Sequence, residues 1–133
     1  MRETDPPDRV AGGEVLVLQP YGSLFFASAP TLERQLPAVT SESRAAVVIV
    51  RLRGTDQIGL AHIEVLRRYV RRLDGVGASL GLVVSEQRVF DQIVASGILA
   101  DLGEEHLYRG SEWVGEALRR AVADGEEWAQ ARA

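Results

Sequence analysis

Residues able to do chemistry are sparse, and their spacing does not assemble a catalyst. The chain of 133 residues has no cysteine and only two histidines, His62 and His106. That leaves no disulfide framework, no thiolate zinc site and no cysteine nucleophile. Neither histidine is followed by a ligand-type residue four positions on. Both therefore read as ordinary polar or half-buried side chains, and no metal site is expected. No spacing sets a serine, a histidine and an acid together, so no catalytic residue is assigned. The run Gly75-Val76-Gly77-Ala78-Ser79-Leu80-Gly81 is rich in glycine. It follows a helical pattern and opens a strand, the reverse of a dinucleotide fingerprint, and reads as a helix end and turn. All 15 basic residues are arginine. Without lysine there is no Walker-type phosphate loop.

Two stretches carry the surface chemistry. Arg67, Arg68, Arg71 and Arg72 form a compact basic patch on one side of a helical pattern, with Glu64 spaced to pair with Arg67 or Arg68. Such a face is either simply solvated or a docking patch for an acidic partner or anionic headgroups. The second stretch is Arg53-Gly54-Thr55-Asp56-Gln57-Ile58-Gly59, which joins a strand to a helix. In an open α/β sheet, the loop at a strand's C-terminal end is the usual functional edge. The helix start also offers unpaired N–H groups that suit an anion or phosphate. The plainer reading makes Asp56 a helix cap and the two glycines turn formers.

Composition narrows the class. The chain is 46% hydrophobic and 26% charged, as expected of one folded domain and not of a disordered tail. Its net charge is −4, with a pI near 5.2. That disfavours a nucleic-acid partner, which calls for a basic footprint. The longest unbroken apolar run is Ala45 to Val50, far short of the roughly 20 residues that span a bilayer. No charged-then-apolar leader opens the chain, so a secretory signal is not expected.

The elements that must position these residues follow from the apolar pattern. Residues 1–13 hold Pro6-Pro7 and Gly12-Gly13 without an apolar period and read as a linker. Val15 to Leu18 reads as a strand and Leu24 to Phe26 as a second. Ser28 and Pro30 suit the cap and first turn of a helix carrying Leu32 and Leu36, which Pro37 stops. Val47, Val48, Ile49 and Val50 are β-branched and continuous, which predicts a strand from Ala46 to Leu52 buried on both faces. Leu60, Ile63, Leu66, Val70 and Leu73 recur at helical spacing, with Gly75 as the expected cap. Leu80 to Val84 reads as the next strand. Ser85 is the expected cap of a helix with Val89, Phe90, Ile93 and Val94 inward, ended by Gly97. His106 to Tyr108 reads as a last strand. Ser111 opens a final helix with Trp113, Ala117, Leu118 and Val122 on its apolar stripe. Trp128 packs in the core, at an edge or, near the chain end, on a partner. Strands alternating with helices give an α/β sheet. The domain proper is expected over residues 14–128, with a short C-terminal tail at 129–133.

This order of elements resembles a STAS domain, the fold of bacterial anti-sigma factor antagonists and of the cytoplasmic tail of SulP-type anion transporters. The resemblance covers nearly everything from Glu14 to Trp128. It implies a STAS-like mixed β-sheet of about five strands covered by about four helices. In the antagonists, a loop reading Asp-Ser-Ser-Gly lies where Asp56-Gln57-Ile58-Gly59 lies here, and its serine or threonine is phosphorylated by the partner kinase. Asp56 and Gly59 are kept, but Gln57 and Ile58 carry no hydroxyl, so the switch does not transfer. Thr55 precedes the aspartate and does not inherit it.

Other stretches are similar to the transporter branch. These are Tyr21-Gly22-Ser23-Leu24-Phe25-Phe26-Ala27-Ser28-Ala29, Arg51-Leu52-Arg53-Gly54 with Ile58-Gly59-Leu60, and Val65-Leu66-Arg67-Arg68-Tyr69. The Pro6-Pro7 region is similar to the connector after the last membrane helix, so a long hydrophobic region is expected to precede this chain. The resemblance implies a non-catalytic module for regulation, dimer assembly and protein interaction. Its partners would be the transmembrane domain of the same chain, a second copy or a cytoplasmic regulator. It implies no cofactor, with a nucleotide or small anion at the Asp56–Gly59 loop as a weaker expectation. A stand-alone STAS regulator without the phosphorylatable serine is the alternative.

Overall fold

In a computed structural model, the structure describes residues 9–18, 28–52, 58–110 and 116–132. Among these residues four parallel strands form one sheet in the order β1 (Val15–Leu18), β2 (Val47–Leu52), β3 (Ser79–Val84) and β4 (Leu107–Arg109). Helices link them: α1 (Ala29–Gln35), α2 (Leu60–Gly75), α3 (Gln87–Ser96) and the short α4 (Leu99–Leu102), before the closing α5 (Glu116–Arg132). The expected second strand at Leu24–Phe26, the Ser111 cap and Trp113 lie outside the described residues.

The two inner strands explain the continuous apolar runs. Val47 to Val50 are all 5% exposed or less, because alternate residues meet different helical layers. Val48, Val50 and Leu52 face the layer built from α2, α3 and α4, where Leu66, Leu73 and Ile93 are fully buried. Val47 and Ile49 face α5. That helix lies against the sheet through Ala117, Ala121, Gly125 and Ala129, a one-sided stripe at four-residue spacing. Small side chains there let backbone meet sheet. A Cβ on Gly125 would stand 3.2 Å from Val47 Cγ1.

Local chemistry sets the ends of the elements, with several corrections to the sequence reading. Ser28 does cap α1, accepting from the Thr31 N–H, and Pro30 sits in the first turn. The end of α2 is capped at Val76, not Gly75, and Gly77 takes the left-handed conformation at φ +78°. Glu86, not Ser85, is the N-cap of α3, and no side chain caps that end. Leu60 and Val94, expected inward, are 67% and 45% exposed. His106 belongs to a short 3-10 turn, so the last strand starts one residue later.

Val10 is buried at 2% exposure and its N–H bonds to the Ala38 carbonyl, while Ala129 is buried within α5. No helix among the described residues is long and apolar enough to cross a membrane.

Candidate functional site

The loop after β2 reaches the described part of the chain at Ile58 and Gly59; residues 53–57 lie outside it, so Arg53, Gly54, Thr55, Asp56 and Gln57 are not placed. Ile58 is buried at 5% exposure and joins the core with α2 and α3. Its N–H donates to Gln92 Oε1 on α3 at 2.8 Å. Gly59 is the N-cap of α2, with extended backbone at φ −74° and ψ 149°. Its carbonyl accepts from the N–H groups of His62 and Ile63, both at 3.1 Å. With no side chain at the cap, the helix start lacks the usual side-chain acceptor. Next to it stands Leu60, a large apolar side chain left in solvent. The loop's end is therefore fixed from beneath and presents an apolar residue outward, at the C-terminal edge of the sheet.

The four arginines of the expected docking patch divide. Arg67 is mostly committed inside the molecule. Its Nε donates to Asp101 Oδ2 at 2.9 Å, its Nη2 to the Gly97 carbonyl at 2.9 Å, and Glu64 lies 3.4 Å away. The Asp101 contact, chief among these, holds the guanidinium charged and raises its pKa; in return Arg67, then Arg71, pulls the Asp101 carboxyl below its ordinary range. Arg71 shares Asp101 at 3.3 Å but is 61% exposed. Arg68 pairs with Glu33 of α1 at 3.1 Å. Arg72 lies over the Tyr69 ring at 5.4 Å. Arg68, Arg71 and Arg72 are thus the solvent-facing members, and Arg67 is a clamp between α2, α3 and α4.

One grouping escaped the sequence. Ser79 Oγ and His106 Nδ1 lie 3.1 Å apart, with Glu105 3.8 Å from the other ring nitrogen. The residue types are those of a nucleophilic relay, but Ser79 is 5% exposed inside β3 and Glu105 is 75% exposed. The pair ties the turn before β4 to β3. Among the described residues, no group of His, Cys, Asp or Glu is placed to hold a metal ion.

An open parallel sheet with helices on both faces defines an α/β domain. The particular family follows from comparison. A family model of the STAS domain matches residues 7–112, most of the chain, and the chain belongs to the STAS family. Among solved structures, a SulP transporter STAS domain from Vibrio cholerae is similar in fold, with a TM-score of 0.54 and 22% identity. The match covers 95% of this chain and 90% of that one. No curated protein matches the sequence.

Proposed function

We propose that this chain is the STAS domain of a SulP-type inorganic anion transporter, held at the cytoplasmic face of the plasma membrane and serving regulation, assembly and protein interaction, with no catalysis of its own. The observation that carries this reading is the fold it shares with the Vibrio cholerae transporter domain along 95% of its length. Ile58 supports it: where the antagonist loop offers a hydroxyl to a kinase, this chain has a buried isoleucine fixed to Gln92.

The contact surface is then the Ile58–Gly59–Leu60 corner with the exposed Arg68, Arg71 and Arg72. An apolar side chain at the start of α2, with exposed arginines two to three turns further along the same helix, suits a partner surface with an acidic rim. The partner is the membrane domain of the same transporter or a cytoplasmic regulator.

The test is fractionation of native cells, blotted with an antibody to this domain. A membrane-pellet band several-fold heavier than 14.5 kDa is expected. A soluble band near 14.5 kDa overturns the transporter reading and leaves a free-standing regulator.

A further inference from the structure

The face of the sheet under α5 is not filled to its edge. Along β3 the residues facing α5 are Ser79, Gly81 and Val83, and Gly81 gives no side chain to that layer. A Cβ there would meet nothing closer than 3.7 Å, and the backbone is not in the left-handed region. Neither packing nor conformation therefore calls for glycine in the middle of an interior strand. A bare strand centre of this kind is where a ligand can approach the backbone. Above it opens a cleft of about 380 Å³ between α5 and the β3–β4 side of the sheet. That volume falls in the range of small-molecule sites.

The walls combine an apolar interior, with Ser79 and His106 at one side, and an aromatic and acidic mouth. Tyr108 and Trp128 supply aromatic surface, and Glu105, Asp124 and Glu127 supply carboxylates. Among the described residues no arginine lines it, in a chain that has arginine but no lysine. Asp124 is held in place, since the Tyr108 hydroxyl donates to its Oδ2 at 2.7 Å. Burial, with help from Asp124, raises the Tyr108 pKa, so the phenol stays a donor at physiological pH. The indole already accepts a planar cation: the Arg132 guanidinium carbon lies 3.9 Å from the Trp128 ring centre. An aromatic wall with a carboxylate rim is the recognition chemistry of an organic cation.

The geometry points to a binding site for a small organic cation, an alkylammonium or alkylguanidinium, in the cleft over Gly81. The cation sits against Trp128 and Tyr108 with Asp124 as its counter-charge, and its alkyl part lies over the Gly81 backbone. The site is on the α5 face, away from the loop edge, and does not depend on the transporter reading.

The experiment is a backbone-amide and indole NMR titration of this chain with n-butylguanidinium and n-butylammonium, using n-butanol and butyrate as controls. Saturable shifts confined to Gly81, His106, Tyr108 and the Asp124–Ala131 turn of α5 are expected for the cations alone. Asp124→Asn, which keeps an acceptor for Tyr108, should weaken binding by about fivefold, the size of one exposed charge pair. Gly81→Val should abolish it by filling the floor. Should that variant not fold, Trp128→Leu serves the same purpose from the wall. The proposal is overturned by no saturable shift at tens of millimolar cation. It is equally overturned if butanol binds as well as the cations, or if Asp124→Asn binds as tightly as the parent chain.

Discussion

Arg67 and Asp101 are joined side chain to side chain, Nε to Oδ2 at 2.9 Å, and the bond ties α2 to α4. The same guanidinium donates to the Gly97 carbonyl that closes α3, so one residue in the middle of α2 holds the end of α3 and the short α4. This splits a patch that looks uniform in sequence. Arg67→Ala should lower the melting temperature clearly, because it leaves Asp101 and the Gly97 carbonyl short of a donor. Arg68→Ala and Arg72→Ala, on the exposed side, should change it little. Thermal melts of the single variants check this. A docking test should therefore reverse Arg68, Arg71 or Arg72, since loss of function from Arg67 would confound binding with folding.

Asp101 also gives a pH dependence with a definite sign. Its carboxyl titrates below the ordinary range in the folded state, through Arg67 first and Arg71 next. The unfolded carboxyl titrates at about 3.9. The contribution is fully present above that unfolded value and is lost as pH falls through the depressed folded one. Asp101→Asn should thus be less stable than the parent at neutral pH, and the gap should close on acidification below about pH 4. Denaturant melts of both chains across that window measure it. A gap independent of pH would remove Asp101 from the account.

Gly97 is tested by a methyl group. Its φ of +84° lies in the left-handed region, and an added Cβ would stand 3.4 Å from Arg67 Nη2. Gly97→Ala should cost about 1 kcal/mol from backbone strain alone, readable as a shift of the urea midpoint at unchanged slope. A neutral substitution would mean that the turn after α3 relaxes freely.

Tyr69 shows why a motif residue is needed where it stands. It is 1% exposed, and its hydroxyl donates to the Pro37 carbonyl at 2.8 Å, joining α2 to the chain after α1. Burial raises its pKa well above the usual tyrosine value, so it is a neutral donor at any working pH. Tyr69→Phe keeps the ring and strands the carbonyl, which should cost about 1–3 kcal/mol. Equilibrium unfolding gives the number directly.

These cases mark what the sequence could and could not carry. Continuous β-branched residues at Val47–Val50 have one stable home, an inner strand, so β2 was legible. Ser28 and Gly97 act within a few residues of themselves and were legible for the same reason. Ser85 was misread because a cap is fixed by where the backbone turns helical, one residue later. Leu60 matches the helical period but falls in the first turn, where burial ends. Gly81 falls within the expected strand Leu80–Val84 and lies in β3, but the helix over it is some forty residues on, so the open space above it was not legible. The partners of Arg67 and Ser79 lie 34 and 27 residues away, and only the closed fold brings them into contact.

Gln92 is the remaining lever on the loop. Its Oε1 accepts from the Ile58 N–H at 2.8 Å, a bond that sets the last buried residue before the exposed Leu60. Gln92→Leu keeps the volume and removes the acceptor, leaving a partly buried N–H unmet. The domain should remain folded, with a loss of about 1–2 kcal/mol. The larger effect should be local, as faster amide exchange at Ile58 and the first turn of α2 with α5 unchanged. If the loop corner is the contact surface, partner binding should fall in Gln92→Leu by more than the stability loss explains, and Leu60→Ser should produce the same loss without altered exchange. Unchanged binding in both variants would move the contact surface away from this edge and onto the exposed arginines of α2.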